Sequence, residues 1–466
     1  MSYKAYITYV KNIRPAENAD RLNACEVFGN TTIIDKTITE DTLILYLPSD
    51  GQISVEFGEK NNLFRRKDEN GNNVGGFVDP DKRNIAAIRL RGNRSDGLVL
   101  PISCLNYCFS HGDASIEFHA GDVIDGLVNG HEIARKYIPK TNHRNHASGA
   151  HNKVKKKKVV IAPLFQEHKD TEQLAYNLND FKEGDQIEIT LKMHGTSGRT
   201  GYLPCLKGYK RTWKDKLLRR EGTPVYEYDY VSGTRRVVLE RYDAGFYGSD
   251  AFRKIHAEKF EGKLHKNEEI YYEIVGFTDT GVPIMSTADN RKLNDKDFIK
   301  KYGKETVFSY GCDCAEQAWR EDRGQDPDKP ESDIYVYRMT MTNEDGDVVE
   351  YSPEFMRYRC EQMGVKTVPV MWQGFIPVIE NDEALPKEYA ETPGSFIKNI
   401  AEKYYDGADP IGKTHIREGV VVRIVNRPTF TAYKHKNFNF KVLENIIKVN
   451  ADAPDMEEAQ EIVDQG

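Results

Sequence analysis

Long apolar runs are missing from this chain. Its mean hydropathy is −0.66, and no stretch approaches the length that spans a bilayer. The opening Met1-Ser2-Tyr3-Lys4-Ala5-Tyr6 lacks the form of a secretory leader. Cysteine is scarce, at 7 of 466 residues, and scattered. Cys104 and Cys108 make a loose pair and Cys312-Asp313-Cys314 a close one, without a second pair at zinc-site spacing. The expectation is buried free thiols in a reducing compartment, hence a cytoplasmic chain with no membrane partner. A global positive field is absent too, since the formal net charge is −7. Any contact with nucleic acid must come from local basic patches. Material for folding is ample. Charged residues at 30% and aromatics at 11% fit a folded chain, long enough for two or three domains with their own cores.

Residues 1–137 read as short strands separated by turn signals, among them Tyr6-Ile7-Thr8-Tyr9-Val10, Thr31-Thr32-Ile33-Ile34 and Thr42-Leu43-Ile44-Leu45-Tyr46-Leu47. Strands at this spacing predict a small β-barrel. Asn18-Ala19-Asp20-Arg21-Leu22, and Ile88-Arg89-Leu90-Arg91-Gly92 leading to Ser95-Asp96-Gly97, resemble the oligonucleotide-binding (OB) barrel of tRNA-binding domains. Arg89 and Arg91, with Arg94, are candidate phosphate contacts. The alternative is that they are edge-strand charges that deter aggregation. Residues 138–158 read as a polar linker ending in Lys153 and Lys155 to Lys158, a solvated basic face. A second domain, 159–448, alternates strands and helices. Within it Lys207, Lys210, Arg211, Lys214, Lys216, Arg219 and Arg220 interleave with Tyr209 and Trp213. Charges together with aromatics favour nucleic-acid contact by Lys210, Arg211, Trp213 and Lys214 over an ordinary charged surface. Residues 449–466 form an acidic tail.

The chemistry centres on Lys192-Met193-His194-Gly195-Thr196, which follows the alternating, strand-like run Gln186-Ile187-Glu188-Ile189-Thr190-Leu191. A lysine at a strand end, followed by a glycine that admits a close approach, suits a nucleophilic amine. Alone the pattern is weak. A lysine that attacks a nucleotide α-phosphate must be neutral, which burial or nearby cations promote. It also needs carboxylates for a metal, cations for phosphate charge and an aromatic clamp for the base. Downstream, in order, come Ser232-Gly233-Thr234-Arg235-Arg236, Tyr271-Tyr272-Glu273-Ile274-Val275-Gly276 and Tyr335-Val336-Tyr337. Arg417-Glu418-Gly419-Val420 follows, then Tyr433-Lys434-His435-Lys436-Asn437, whose lysines share one strand face. Singly, each has a plain structural explanation.

As an ordered set, these segments resemble the motifs of the covalent nucleotidyltransferase superfamily of RNA ligases, DNA ligases and capping enzymes, and are most similar to the RNA ligases. Two positions depart from relatives: Leu191 stands where many have glutamate, and Arg338 where phage double-strand RNA ligases have aspartate. Only about 25 residues follow Lys441, too few for the C-terminal barrel of DNA ligases and capping enzymes. A barrel before the transferase domain resembles the Deinococcus-type RNA ligases. The resemblance implies an α+β chain, with an N-terminal OB barrel and then antiparallel sheets flanked by helices. It implies ATP-dependent sealing of 3′-hydroxyl and 5′-phosphate RNA ends, at nicks in duplex RNA or RNA-containing duplexes, by a monomer with no protein partner.

In that scheme Lys192 becomes lysyl-AMP, and Lys434, Lys436 and Arg235 hold phosphate charge. Gly195, Glu273, Tyr337 and Glu418 complete the ATP site, and Tyr337 stacks the adenine with Tyr335 as the weaker candidate. Glu273 and Glu418 serve Mg²⁺ or Mn²⁺ through water. Removing residues 1–135 is expected to spare self-adenylylation and weaken sealing. The alternatives are a DNA-joining or capping-type transferase, or a non-catalytic RNA-binding protein of this fold.

Overall fold

The computed structural model describes residues 3–71, 73–109, 117–138, 162–239, 242, 247, 249–312, 331–380 and 391–449. The expected lysine run of the linker, the acidic tail and Cys314 lie outside these residues. The chain forms two compact units. One comprises Met1–Pro139, Lys292–Asn294 and Phe438–Ile446; the other comprises Lys140–Arg291, Asp295–Asn437 and Ile447–Gly466. Within the span expected as the second domain, 159–448, Lys292–Asn294 and Phe438–Ile446, the greater part of the helix after its last strand, group with the N-terminal unit.

The N-terminal unit is built on a four-stranded antiparallel sheet in the order Leu98–Pro101, Ile44–Leu47, Ala5–Thr8, Val123–Ile124. Ile44–Leu47 is paired on both edges and buried along its whole length. Ile7, Leu45, Phe57, Leu105 and Ile133 fill the core. A separate three-stranded meander runs through Lys11–Pro15, Leu22–Val27 and Asn30–Asp35. The strands are as expected, but the closed barrel is not seen: among the described residues they fall into separate sheets of two to four strands. Closure requires each strand to pair on both edges in a consistent stagger. The bulge in Lys11–Pro15, with Asn12 at φ 55°, breaks that register.

The second unit holds two sheets, and its strands are numbered here in chain order. They are β1 (Gln186–Lys192), β2 (Thr196–Lys210), β3 (Thr223–Gly233), β4 (Glu268–Gly276) and β5 (Ser332–Thr342). Then come β6 (Val348–Glu350), β7 (Val370–Phe375), β8 (Gly419–Ile424) and β9 (Thr431–Lys436). One sheet has the order Glu172–Gln173, β9, β8, β1, β7; the other runs β3, β2, β4, β5, β6, with Lys366–Thr367 alongside β5. All pairings among the numbered strands are antiparallel. The alternation of β1 buries Ile187 and Ile189 against Val420, Val422 and Ile424 of β8. Ile397 and Ala401 of the helix Pro393–Tyr404 cover the same core. The six described cysteines are buried and free. No helix among the described residues is long and apolar enough to cross a membrane.

Candidate active site

Lys192 ends β1 in one sheet, and Thr196 opens β2 in the other. The loop Met193-His194-Gly195 is the crossover between them. Its tight passage explains Gly195: a Cβ there would lie 2.3 Å from the Ile274 carbonyl and 2.9 Å from Glu273 Cγ. The missing side chain thus makes room for β4, the strand that carries Glu273. Leu191, the departure noted above, is buried in the core and its N–H donates to Pro369 O at 2.9 Å.

Lys192, Gly419 and Lys436 stand in one row across three strands, since Lys192 pairs with Gly419 and Gly419 with Lys436. Glu418, just before β8, is buried and reaches both lysines through one oxygen. Its Oε1 lies 2.7 Å from Lys192 Nζ and 3.2 Å from Lys436 Nζ. His194 Nδ1 is 3.6 Å from the other oxygen. Burial alone would raise this carboxyl, but Lys192, Lys436 and His194 outweigh it and hold Glu418 well below the ordinary carboxylate range. Gly419, at φ 152°, lets β9 close in, because a Cβ would sit 2.1 Å from His435 O. Lys434 lies on the same face two residues before Lys436, beside Gln173.

Two groups that sequence reasoning missed tie the site together. Tyr310 is buried in a loop at φ 50°, and its hydroxyl accepts the His194 N–H at 2.6 Å. Burial raises this phenol well above its usual value, and the charges of Asp409, Glu418 and Glu273 act the same way. Glu273 and Glu418, distant in sequence, therefore act on one hydroxyl. The second group is Asp170, which pairs with Arg235 and, at 2.9 Å, with Arg236. Neither had a signal: Tyr310 follows no periodic pattern, and Asp170 sits in the aperiodic run Glu167-His168-Lys169-Asp170.

The aromatic strand divides its roles. A bulge between β4 and β5 pairs Tyr271 with Arg338 and Tyr272 with Val336, leaving Tyr337 as the extra residue. Tyr337 is half-buried and its hydroxyl is 3.1 Å from His168 Nδ1. Burial, then the charge of Arg235, push His168 down to about 3; Lys192 also contributes. Tyr337, His168 and Lys192 are thereby brought to one region. Tyr335 is instead buried, opposite Glu273 in register, with Lys366 Nζ 5.3 Å from its ring centre. Arg338 is buried over the Tyr271 ring at 4.4 Å and ion-paired with Glu350.

The expected nucleic-acid residues divide as well. Lys210, Arg211, Trp213 and Lys214 are exposed on a hairpin tip. Arg89 donates to Asn439 Oδ1 at 2.8 Å and, like Arg94, lies over the Phe438 ring. Arg91 is exposed and donates to Asn18 O at 3.0 Å. Arg89 thus faces the helix that begins at Phe438, because that helix offers a ring and an amide on its own unit.

Among the described residues no three His, Cys, Asp or Glu side chains converge as a metal cage. Two carboxylates with phosphate oxygens and water are nonetheless a usual set for Mg²⁺. No family model matches the chain, and no curated protein matches its sequence. Solved structures do. An apo variant of the Naegleria gruberi RNA ligase superposes with a TM-score of 0.52 at 15% identity, covering 95% of this chain and 98% of that one. A variant of that ligase with AMP and Mn gives 0.50 at 15%, covering 94% and 97%. The ligase with PPi gives 0.50 at 14%, covering 94% and 97%. This chain shares the fold of an RNA ligase.

Proposed function

We propose that the chain is an ATP-dependent RNA ligase that works through a lysyl-AMP intermediate. The observation that carries this is the shared carboxylate: Lys192 and Lys436, 244 positions apart in the sequence numbering, meet on Glu418 Oε1 in a fold common to an RNA ligase. Of the ligands named for that relative, Mn is a metal the proposed first step would use, PPi the group it would release and AMP the group it would leave on the lysine.

In the first step Lys192, a cation while paired with Glu418, passes a proton to solvent, and its nitrogen then attacks the α-phosphorus of ATP. A nitrogen–phosphorus bond forms, the bond to the bridging oxygen breaks, pyrophosphate leaves and the amine gives up a proton. Glu418 orients Lys192 toward the row it shares with Lys436, which would otherwise be two like charges held together. Lys434, Lys436 and Arg235 meet the charge of the phosphates, where fixed cations stabilise the transition state. Arg235 leaves Asp170 or shares it with Arg236 to do so. Tyr337, turned out by its bulge and tethered to His168, stacks the adenine. A divalent metal carried by ATP would be held through water by Glu273 and Glu418, and it neutralises phosphate charge when bound. AMP then passes to a 5′-phosphate, and a neighbouring 3′-hydroxyl displaces it to seal the strand. Nicks in duplex RNA or RNA-containing duplexes are the proposed substrates, and the N-terminal unit, most of which precedes the transferase unit as in Deinococcus-type ligases, has an OB-like role in holding them.

Incubation with α-labelled ATP and Mg²⁺ or Mn²⁺ should give an acid-labile protein label that Lys192→Ala abolishes. A label that survives that substitution refutes the scheme. Nicked duplexes with RNA or DNA on each side of the break then separate RNA joining from DNA joining.

A further inference from the structure

The hairpin of β2 and β3 is longer than its sheet requires. β2 pairs with β4 only from Thr196 to Gly201, whereas its pairing with β3 continues to Lys210. From Tyr202 onward the two strands leave the sheet as a ribbon, which packs through Leu203 and Cys205 on Ala162 and Phe165 and is open from Lys207 to its tip. At about 3.3 Å per residue the ribbon reaches roughly 30 Å beyond the sheet edge. Its tip lies roughly 45–50 Å of strand from Thr196, which opens just after the Lys192 loop.

A two-stranded ribbon is marginal alone, and this one is reinforced. Tyr202 and Tyr230 stack at 4.7 Å at its base, and Lys207 pairs with Asp229. The short helix Trp213–Leu217 at its tip has a complete capping box between Thr212 and Asp215. Exposed along this ordered arm are large apolar side chains that folding does not use. Trp213 is 71% exposed and Leu217 73%, with Tyr209 and Tyr226 also open. Between Lys207 and Arg220 seven basic residues face a single acidic one, Asp215, although the whole chain is net negative. Lys214 Nζ lies 5.7 Å from the Trp213 ring centre.

We infer that this arm is a strand-holding rod: it binds an unpaired stretch of nucleic acid on one side of the break, about a dozen nucleotides from the reacting end. The charges track the backbone and the open rings stack bases, the combination that serves single strands. The distance follows from the arm's length and a stacked strand's spacing of about 3.4 Å per phosphate. An acidic protein would use the charge but leave the rings without flat partners. The inference rests on the ligase reading for the position of the break, and not for the binding itself.

The test uses the full chain, Trp213→Ala and the pair Lys210→Ala/Arg211→Ala, with single-stranded RNA oligomers of roughly 6, 12, 18 and 24 nucleotides, read by fluorescence anisotropy. The unsubstituted protein should bind the longer oligomers at least about ten-fold tighter than the shortest, with the rise near a dozen nucleotides. Trp213→Ala should remove most of that rise. The double variant should also flatten the salt dependence. These side chains are on the surface, so the variants should keep the parent's melting temperature and its self-adenylylation. Unchanged length dependence in both variants, or an equal loss at the shortest oligomer, overturns the inference. Loss of the protein label in the unsubstituted chain would instead refute the ligase reading and leave the binding comparison intact.

Discussion

At Glu418 a single carboxylate oxygen serves two lysines, and much of the site hangs on it. Replacing Glu418 by Ala leaves Lys192 and Lys436 as uncompensated neighbours, a loss of about 3–5 kcal/mol for a buried pair. Self-adenylylation should fall at least ~100-fold, and the urea midpoint should drop as well. Tyr337 and Tyr335 should part company in a comparable assay. Tyr337→Leu should raise the KM for ATP with little change in stability, while Tyr335→Leu, whose ring is buried, should lower the melting temperature.

Buried histidines set a pH dependence. His168 and His256 are both held down to about 3 by burial, with nearby cations adding to it. The unfolded chain takes up their protons near pH 6.5, so between these values it binds more protons and stability rises with pH. Going from pH 7 to pH 5 costs roughly 2 kcal/mol for each imidazole. Glu269, raised to about 7 by burial, works in the opposite sense and offsets part of this. Urea unfolding at both pH values should therefore show a shallower dependence in His256→Asn than in the parent. Equal slopes would remove His256 from the account. At this scale the sequence disclosed residue types and their order, and Lys192, Glu418 and Lys436, singled out there, are the three that the fold brings together. It did not disclose Tyr310 or Asp170, because a loop tyrosine and one acid in a polar run carry no periodic signature.

Among elements, the Met193-His194-Gly195 crossover is the least tolerant. Gly195→Ala drives a methyl into the Ile274 carbonyl, and Gly419→Ala drives one into His435 O. Each should cost roughly 2–3 kcal/mol and displace the row of Lys192, Gly419 and Lys436. Gly195→Ala should lose the protein label even where circular dichroism shows a folded chain. The alternation of Gln186–Leu191 was enough to read β1 as a strand with Lys192 at its end. Nothing in that alternation reveals that the next strand lies in a different sheet, since a period of two describes a strand and not its partners. The bulge that frees Tyr337 was hidden for the same reason: it arises from the pairing of β4 with β5, not from either strand alone.

For the whole molecule, most of the helix Phe438–Val449 groups with the N-terminal unit and not with the strands before it. Its residues join the N-terminal unit through a Lys441–Asp96 pair at 2.6 Å, an Asn84–Asn445 contact at 3.1 Å and the Arg89–Asn439 bond. A single residue, Asn437, separates Lys436 from that helix's start, so the helix is the next element after β9. Deleting residues 1–135 takes away Asp96, Asn84 and Arg89 together. Self-adenylylation of the truncated chain should fall at least ~10-fold, contrary to what domain order alone suggests, and Lys441→Met in the full chain should lower it less. A truncation that labels normally would show that the helix holds without them. Amphipathic spacing marks a helix here; its partner is a matter of long-range packing that no local window contains.

The same interleaving sets an order of events on the ribosome. The strands of the N-terminal unit are synthesised before those of the other unit, yet its last piece starts at Phe438. At about 5–20 residues per second, the wait between Pro139 and that helix is roughly 15–60 seconds. Through that interval the nascent unit presents Asp96 and Arg89 without the helix that engages them, so protease resistance of the N-terminal unit should arrive only once that helix has been synthesised.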